Sequence, residues 1–237
     1  MELALVKEKT VNWIRDKVSE AGAKGTVVGL SGGIDSAVVA VLSQEAFPNN
    51  NLGIIMPCQS TAEDAAMAVE LTQKFDMSHL KVDLTETYLT LINSLTPDGT
   101  RMAKANIKPR LRMTTLYFYA AQNNYLVIGT GNKSELFTGY FTKYGDGGVD
   151  VEPIGGLVKT QVRELARFLG VPESIVTRPP TAGLWEGQTD ESEMQITYEE
   201  LDDYILNGTG SAKVKEIAER LHKNSTHKRS MPPALEF

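Results

Sequence analysis

The chain has 237 residues, 41% hydrophobic and 23% charged, and its 24 Lys plus Arg against 30 Asp plus Glu leave a formal net charge of −6. That balance is ordinary for a globular chain and argues against long nucleic acid as the main partner, because a surface that grips phosphate backbones is basic. A single cysteine, Cys58, excludes an intrachain disulfide, no Cys or His pair has zinc spacing, and no apolar run reaches the roughly 18 residues of a membrane span.

Taken in chain order, Leu3, Val6, Thr10, Trp13, Ile14 and Val18 recur at helical spacing and predict an amphipathic opening helix over 3–18. Charges at Glu2, Lys7, Glu8 and Lys9 leave no room there for the apolar stretch of a secretory leader, so a cytoplasmic location is expected. Thr26 to Leu30 reads as a buried strand, broken by Ser31-Gly32-Gly33. Ile34 to Phe47 follows as a helix, stopped by Pro48 and three asparagines. Leu52 to Met56 is a second strand, and Thr61-Ala62-Glu63-Asp64 is a capped start to a helix running to about Phe75. Leu80 to Leu84 is a third strand, with a helix after it to about Leu95. Asn106 to Asn123 is a longer helix, rich in Tyr and Phe on one side, and Tyr125 to Thr130 is a fourth strand.

Strands alternating with helices predict an α/β fold, a doubly wound parallel sheet with helices on both faces. Ligands in such sheets sit beyond the carboxyl ends of the strands. That places weight on two loops, Ser31–Ser36 and Gly129–Glu135. Beyond them, 137–160 is rich in Gly, Tyr, Asp and Lys, and Thr160 to Leu169 is a helix stopped by Gly170. The polar stretch 181–193 reads as a mobile loop or lid. Tyr198 to Leu206 and Ala212 to Leu221 are two further helices, and the tail carries His227-Lys228-Arg229. With no internal repeat and no linker, 1–237 is expected to be one domain.

Chemistry concentrates in Ser31-Gly32-Gly33-Ile34-Asp35-Ser36. Two glycines let the backbone turn tightly and approach a ligand closely. The first amides of the following helix, with its dipole, point at the same spot and favour an anion such as pyrophosphate. Asp35 would repel phosphate unless a cation lay between them, and magnesium resolves that conflict. A Gly-Gly turn also joins strand to helix with no ligand at all, so the loop by itself leaves the matter open. The Walker ending Gly-Lys-Ser/Thr is absent, and Gly129-x-Gly131 lacks the third glycine of a dinucleotide fingerprint, Ser134 standing there.

Ser-Gly-Gly-Ile-Asp-Ser resembles the PP-loop of the N-type ATP pyrophosphatases, which include NAD synthetases, GMP synthetases, asparagine synthetases and tRNA-modifying enzymes. Gly129 through Glu135, Thr138 through Asp150, Pro153 through Lys159, Arg178 through Ala182, Tyr198 through Tyr204 and His227-Lys228-Arg229 resemble the ammonia-dependent NAD synthetases in particular. The resemblance covers nearly the whole chain and implies an adenine nucleotide α-hydrolase-like, Rossmann-like fold. It further implies ATP-dependent amidation of deamido-NAD with ammonia, through an acyl-adenylate, to NAD, AMP and pyrophosphate.

The resemblance also implies roles, residue by residue. Gly29, Leu30, Ser31, Gly32, Gly33, Ile34, Asp35 and Ser36, with Thr130, Lys159 and Thr181, would form the ATP site. Asp35 and Glu135 would hold magnesium. Arg110, Lys143, Asp150, His227 and Lys228 would bind the dinucleotide, with Asp146 nearby, and Asp35, Lys159 and Asp146 would carry the catalysis. A homodimer is implied as well. Glutamine-dependent relatives carry an extra amidase domain with a nucleophilic cysteine, and this chain has neither, so free ammonia is the expected nitrogen source. Two other readings stay open: a tRNA-modifying ligase with the same loop, and a non-catalytic adenine-nucleotide-binding module. The acidic charge and lone Cys58 weigh against the first, and the paired acids Asp35 and Glu135 against the second.

Overall fold

The structure is a computed structural model that describes residues 2–96, 98–181 and 189–235. The chain runs α1 (Leu3–Glu20), β1 (Gly25–Gly29), α2 (Ile34–Ala46), β2 (Asn51–Ile55), α3 (Ala62–Lys74), β3 (His79–Lys81), α4 (Thr85–Ser94), α5 (Arg101–Ala105), α6 (Ile107–Asn123), β4 (Tyr125–Ile128) and α7 (Lys133–Thr138). After a loop-rich stretch come α8 (Lys159–Phe168), α9 (Glu173–Val176), α10 (Asp190–Met194), α11 (Tyr198–Asn207) and α12 (Ala212–Asn224), then a 3-10 turn at Thr226–Lys228.

The four strands are all parallel, in the order β3-β2-β1-β4. Because successive side chains on a strand point to opposite faces, each central strand feeds two cores. Val28, Ile55 and Ile128 pack with α1, α2, α3, α8 and α9 on one face. Val27, Ile54 and Val127 pack with α4 and α6 on the other. A third apolar cluster gathers Met194, Ile196, Tyr198, Leu201, Val214 and Ile217 against Phe137 and Tyr140, and fastens α11 and α12 to α7. The expected parallel sheet covered on both faces is thus present.

The departures have local causes. The third strand ends at Lys81 and all three of its residues are exposed, as suits a short strand at the sheet's edge. The fourth ends at Ile128, where the Gly129 amide turns away to the Val151 carbonyl. Tyr117, Phe118 and Tyr119 do not share one side. Successive helical residues are about 100° apart, and Phe118 is 62% exposed while its neighbours pack on the α4–α6 side of the sheet. Residues 182–188 of the expected lid lie outside the described residues, and Asp190–Met194, expected as loop, is a short helix capped by Thr189. Thr61 caps α3 reciprocally with Asp64, as its sequence predicts.

Candidate active site

The chain leaves β1 toward β2 on one side of the sheet and returns at β4 on the other. Loops following β1 and β4 therefore diverge, and their divergence opens a crevice at the carboxyl end of the sheet. A cavity of about 530 Å³ occupies it, a volume within the range of nucleotide pockets.

The Ser31–Ser36 loop forms one wall. Gly32 takes φ +80°, and a Cβ there would lie 2.5 Å from the Asp64 carbonyl oxygen, so glycine is required by conformation and by contact with α3. Ser31 and Ser36 brace the turn from within: their hydroxyl oxygens are 2.9 Å apart, the Gly33 amide donates to Ser31 Oγ at 3.2 Å, and Ser36 Oγ donates to the Gly33 carbonyl at 2.9 Å. Gly33 caps α2 with no side-chain hydrogen bond, so no side chain covers the first-turn amides behind the cavity wall.

At the cavity floor three elements bring charges together. Lys159 is the first residue of α8 and only 3% exposed. Its Nζ donates to Asp35 Oδ2 at 2.5 Å and to Glu135 Oε1 at 3.1 Å. Asp35 comes from the first turn of α2, Glu135 from that of α7. Asn132 joins them: it caps α7 reciprocally with Glu135, and its Nδ2 donates to Asp35 Oδ1 at 2.9 Å. Ser134 and Asp202 hold the start of α8, since Ser134 Oγ donates to Asp202 and accepts from the Lys159 amide, while Asp202 Oδ2 accepts from the Thr160 amide. Burial pushes the Glu135 carboxyl up, with Lys159 opposing. The two adjacent carboxylates hold the Lys159 ammonium well above the usual lysine range in spite of its burial.

Asp190, from α10, lines the same cavity. Its Oδ2 accepts from the Tyr198 hydroxyl at 2.9 Å, and Lys159 Nζ stands 5.0 Å over the Tyr198 ring. Desolvation raises this carboxyl, again against the pull of Lys159. On the far wall Arg112 donates to the Met56 carbonyl at 3.2 Å and to Ser60 Oγ at 3.1 Å, and Arg178 pairs with Asp64 at 2.6 Å. Lys228 Nζ donates to the Gly139 and Phe141 carbonyls at 2.7 and 2.6 Å. Asp146 opens onto the cavity, and its Oδ1 accepts from the Thr142 amide at 3.0 Å. Beside the Gly129–Gly131 turn sits Glu152, which accepts from the Gly131 amide at 2.9 Å and is pushed up to about 8 by burial. A Cβ at Gly129 would meet this carboxylate at 2.4 Å.

Of the residues singled out from the sequence, Gly29, Leu30, Ser31, Gly33, Ile34, Asp35, Ser36, Thr130, Glu135, Asp146, Lys159, Thr181 and Lys228 line the cavity. Gly32 lies behind it, against α3. Arg110, Lys143 and His227 form a chain of contacts outside it: Arg110 donates to the Lys143 carbonyl at 3.3 Å, and Lys143 Nζ to the His227 carbonyl at 2.5 Å. Asp150 is elsewhere, and its carboxylate is engaged by the Tyr117 hydroxyl at 2.9 Å and the Val127 amide at 2.8 Å, pinning the returning loop to β4.

Sequence reasoning assigned no role to Asn132, Asp190, Arg112, Glu152 or Arg229. Asn132 carries a readable signal, an Asn followed three residues later by Glu. The others carry none, because Arg112, Glu152 and Arg229 reach groups distant in the chain and the burial of Asp190 is set by tertiary packing.

A model of the NAD synthase family matches residues 6–232. The NH(3)-dependent NAD(+) synthetase of Carboxydothermus hydrogenoformans is 56% identical over 95% of this chain and 94% of its own. Among solved structures, NMN synthetase from Francisella tularensis superposes with a TM-score of 0.96 at 39% identity, and the NH3-dependent NAD synthetase from Campylobacter jejuni with 0.84 at 31%, each over all of both chains. The chain therefore belongs to the NAD synthase family.

Proposed function

We propose that this chain amidates deamido-NAD with ammonia, splitting ATP between its α and β phosphates and giving NAD, AMP and pyrophosphate. The meeting of Asp35, Glu135 and Lys159 beneath the Ser31–Ser36 loop carries this reading, since it supplies amide donors and a buried cation where phosphates would lie.

The substrate carboxylate attacks the α-phosphorus, a P–O bond forms, and pyrophosphate leaves. The amides of Ile34, Asp35 and Ser36 donate to phosphate oxygens, and Lys159 adds a preorganised positive charge beside the leaving group. Ammonia then attacks the acyl carbon of the mixed anhydride, AMP leaves with the bonding pair, and a proton goes to water. No protein nucleophile is needed, and positioning supplies much of the acceleration. Asp35 and Glu135 fit magnesium: their oxygens are hard donors, and two carboxylates against one lysine leave an excess of negative charge. Bound there, magnesium would neutralise phosphate charge. Asp146 and Lys228 line the same cavity.

Arg110, Lys143 and His227 contact one another and do not line the cavity, which suits the distal part of a dinucleotide or a contact completed by a second copy of the chain; we include a homodimer in the proposal. No helix among the described residues is long and apolar enough to cross a membrane, and a cytoplasmic enzyme using free ammonia is the reading that accompanies this. The 0.96 superposition on an NMN synthetase favours a second reading, amidation of the corresponding mononucleotide.

Purified chain would be mixed with ATP, magnesium and ammonium or glutamine, with either the deamido-dinucleotide or the deamido-mononucleotide. NAD and AMP formed one-to-one with ammonium support the proposal. Faster amidation of the mononucleotide moves the function to the second reading. No ATP turnover with either acceptor removes both.

A further inference from the structure

The Gly129-Thr130-Gly131 turn lacks a dinucleotide fingerprint, yet it carries two glycines that the backbone does not demand, since neither takes a positive φ. Contact demands them instead. A Cβ at Gly129 would collide with the Glu152 carboxylate and with Val149, and one at Gly131 would lie 3.1 Å from Glu152 Oε1. One carboxyl group thus lies against both glycines, at a distance only glycine permits.

The surrounding chain places that group. Val151 runs beside the exit of β4, where it forms a parallel bridge with Ile128 and its carbonyl accepts from the Gly129 amide at 2.7 Å. Pro153 follows Glu152 and favours an extended backbone in the residue before it. The Gly131 amide then donates to Glu152 Oε2 at 2.9 Å. Residues 151 and 152 together therefore take the amides of both glycines. Thr130, between them, lines the cavity, whereas Glu152 stands behind the turn and does not line it.

We infer that Glu152 is a positioning residue for the nucleotide: by holding the Gly131 amide from behind, it fixes the Thr130 segment of the cavity wall in the conformation that receives ATP. The inference rests on the amidation reading above only in taking ATP as the ligand. Glu152 acts through the turn and adds no charge to the phosphates. Burial, with Asp146 nearby, raises this carboxyl to about 8, so near pH 7 it serves mainly as a neutral acceptor, which glutamine can replace.

Three variants test this at pH 7. Glu152→Leu keeps the bulk and leaves the Gly131 amide unpaired. Glu152→Asp keeps a carboxyl but stops one methylene short of that amide. Glu152→Gln keeps the acceptor. In the first two, the Kd for ATP with magnesium, measured by calorimetric titration, is expected to rise roughly fivefold or more, the lower end of what an unpaired buried amide costs. The KM for ATP should rise with it, while kcat and the KM for deamido-NAD stay as in the unaltered chain. Glu152→Gln should bind ATP as the unaltered chain does. Unchanged ATP affinity in the first two variants overturns the inference. So does a fall in kcat with the KM for ATP unmoved, the mark of a residue that only supports the fold, or a loss of affinity in Glu152→Gln equal to that in Glu152→Asp. If Glu152→Leu does not fold, the Asp and Gln variants decide. An unaltered chain that binds ATP but amidates nothing removes the function proposed above while the titrations still decide the role of Glu152, so the two failures are distinguishable.

Discussion

Replacing Lys159 by methionine keeps the length of the side chain and deletes the charge that two buried carboxylates share. With Nζ at 2.5 Å from Asp35 and 3.1 Å from Glu135, each attraction is worth several kcal/mol gross even at an effective dielectric of about 20. Much of that is offset by burying the ammonium, so the gross figure is not the loss. The loss comes from leaving the carboxylates together and unpaired, and removing one partner of a buried pair costs about 3–5 kcal/mol. Part can be relieved if Glu135 takes up a proton. Burial already raises this carboxyl, and without Lys159 only the hydrogen bond from the Asn132 amide opposes the rise. An acid raised above its unfolded value contributes stability that is present below that value, ordinarily 4.5, and is lost as pH climbs through the folded one. The variant should therefore lose about 3–5 kcal/mol near pH 8 and distinctly less near pH 6. Urea unfolding followed by circular dichroism at both pH values measures this. Adding Asp35→Asn should recover part of the loss, because one of the two charges disappears. A loss below about 1 kcal/mol at pH 8, or one that shrinks as pH rises, refutes the account of Lys159 as the buried counter-charge.

Gly32→Ala should destabilise by at least about 1–2 kcal/mol from the left-handed backbone alone, with more from the approach to the Asp64 carbonyl, and thermal unfolding with ATP titration measures both effects. Glu152→Gln keeps an acceptor for the Gly131 amide and removes a carboxyl raised to about 8, so it should stabilise the chain as pH rises from 4.5 through 8. The ceiling is about 4–5 kcal/mol, roughly half that after solvent screening, and parallel denaturant curves at pH 5 and pH 8.5 should diverge only at the higher pH. Arg229→Met deletes donors to the Leu136, Phe137 and His222 carbonyls and to Ser225 Oγ, which together clamp the tail onto α7. Faster hydrogen exchange at the Lys228 and Arg229 amides is expected, with a higher KM for the acyl acceptor and little change for ATP.

The legible part of this protein was the part governed by local rules. Alternating apolar runs and helix signals predicted the parallel sheet, because a strand buried on both faces must be apolar throughout. The Ser31–Ser36 loop was visible as chemistry, because glycines before a helix start fix backbone amides wherever the strand ends. The same rules misplace the third strand's end and the Tyr117–Tyr119 face, where the sheet's edge and the 3.6-residue period of α6 decide. Which charges meet was beyond local rules. Asp35 and Lys159 are 124 residues apart, and their contact exists because β1 and β4 are neighbours and Ser134 and Asp202 aim the start of α8. Asp190 reads in sequence as one acid in a polar stretch. It became a buried carboxylate because α11 carries Tyr198 beneath it and the third apolar cluster holds α10 in place. Spacing along the chain thus determined the sheet and the Ser31–Ser36 turn, while the meeting of Asp35 with Glu135 and Lys159 waited on the packing of elements distant in sequence.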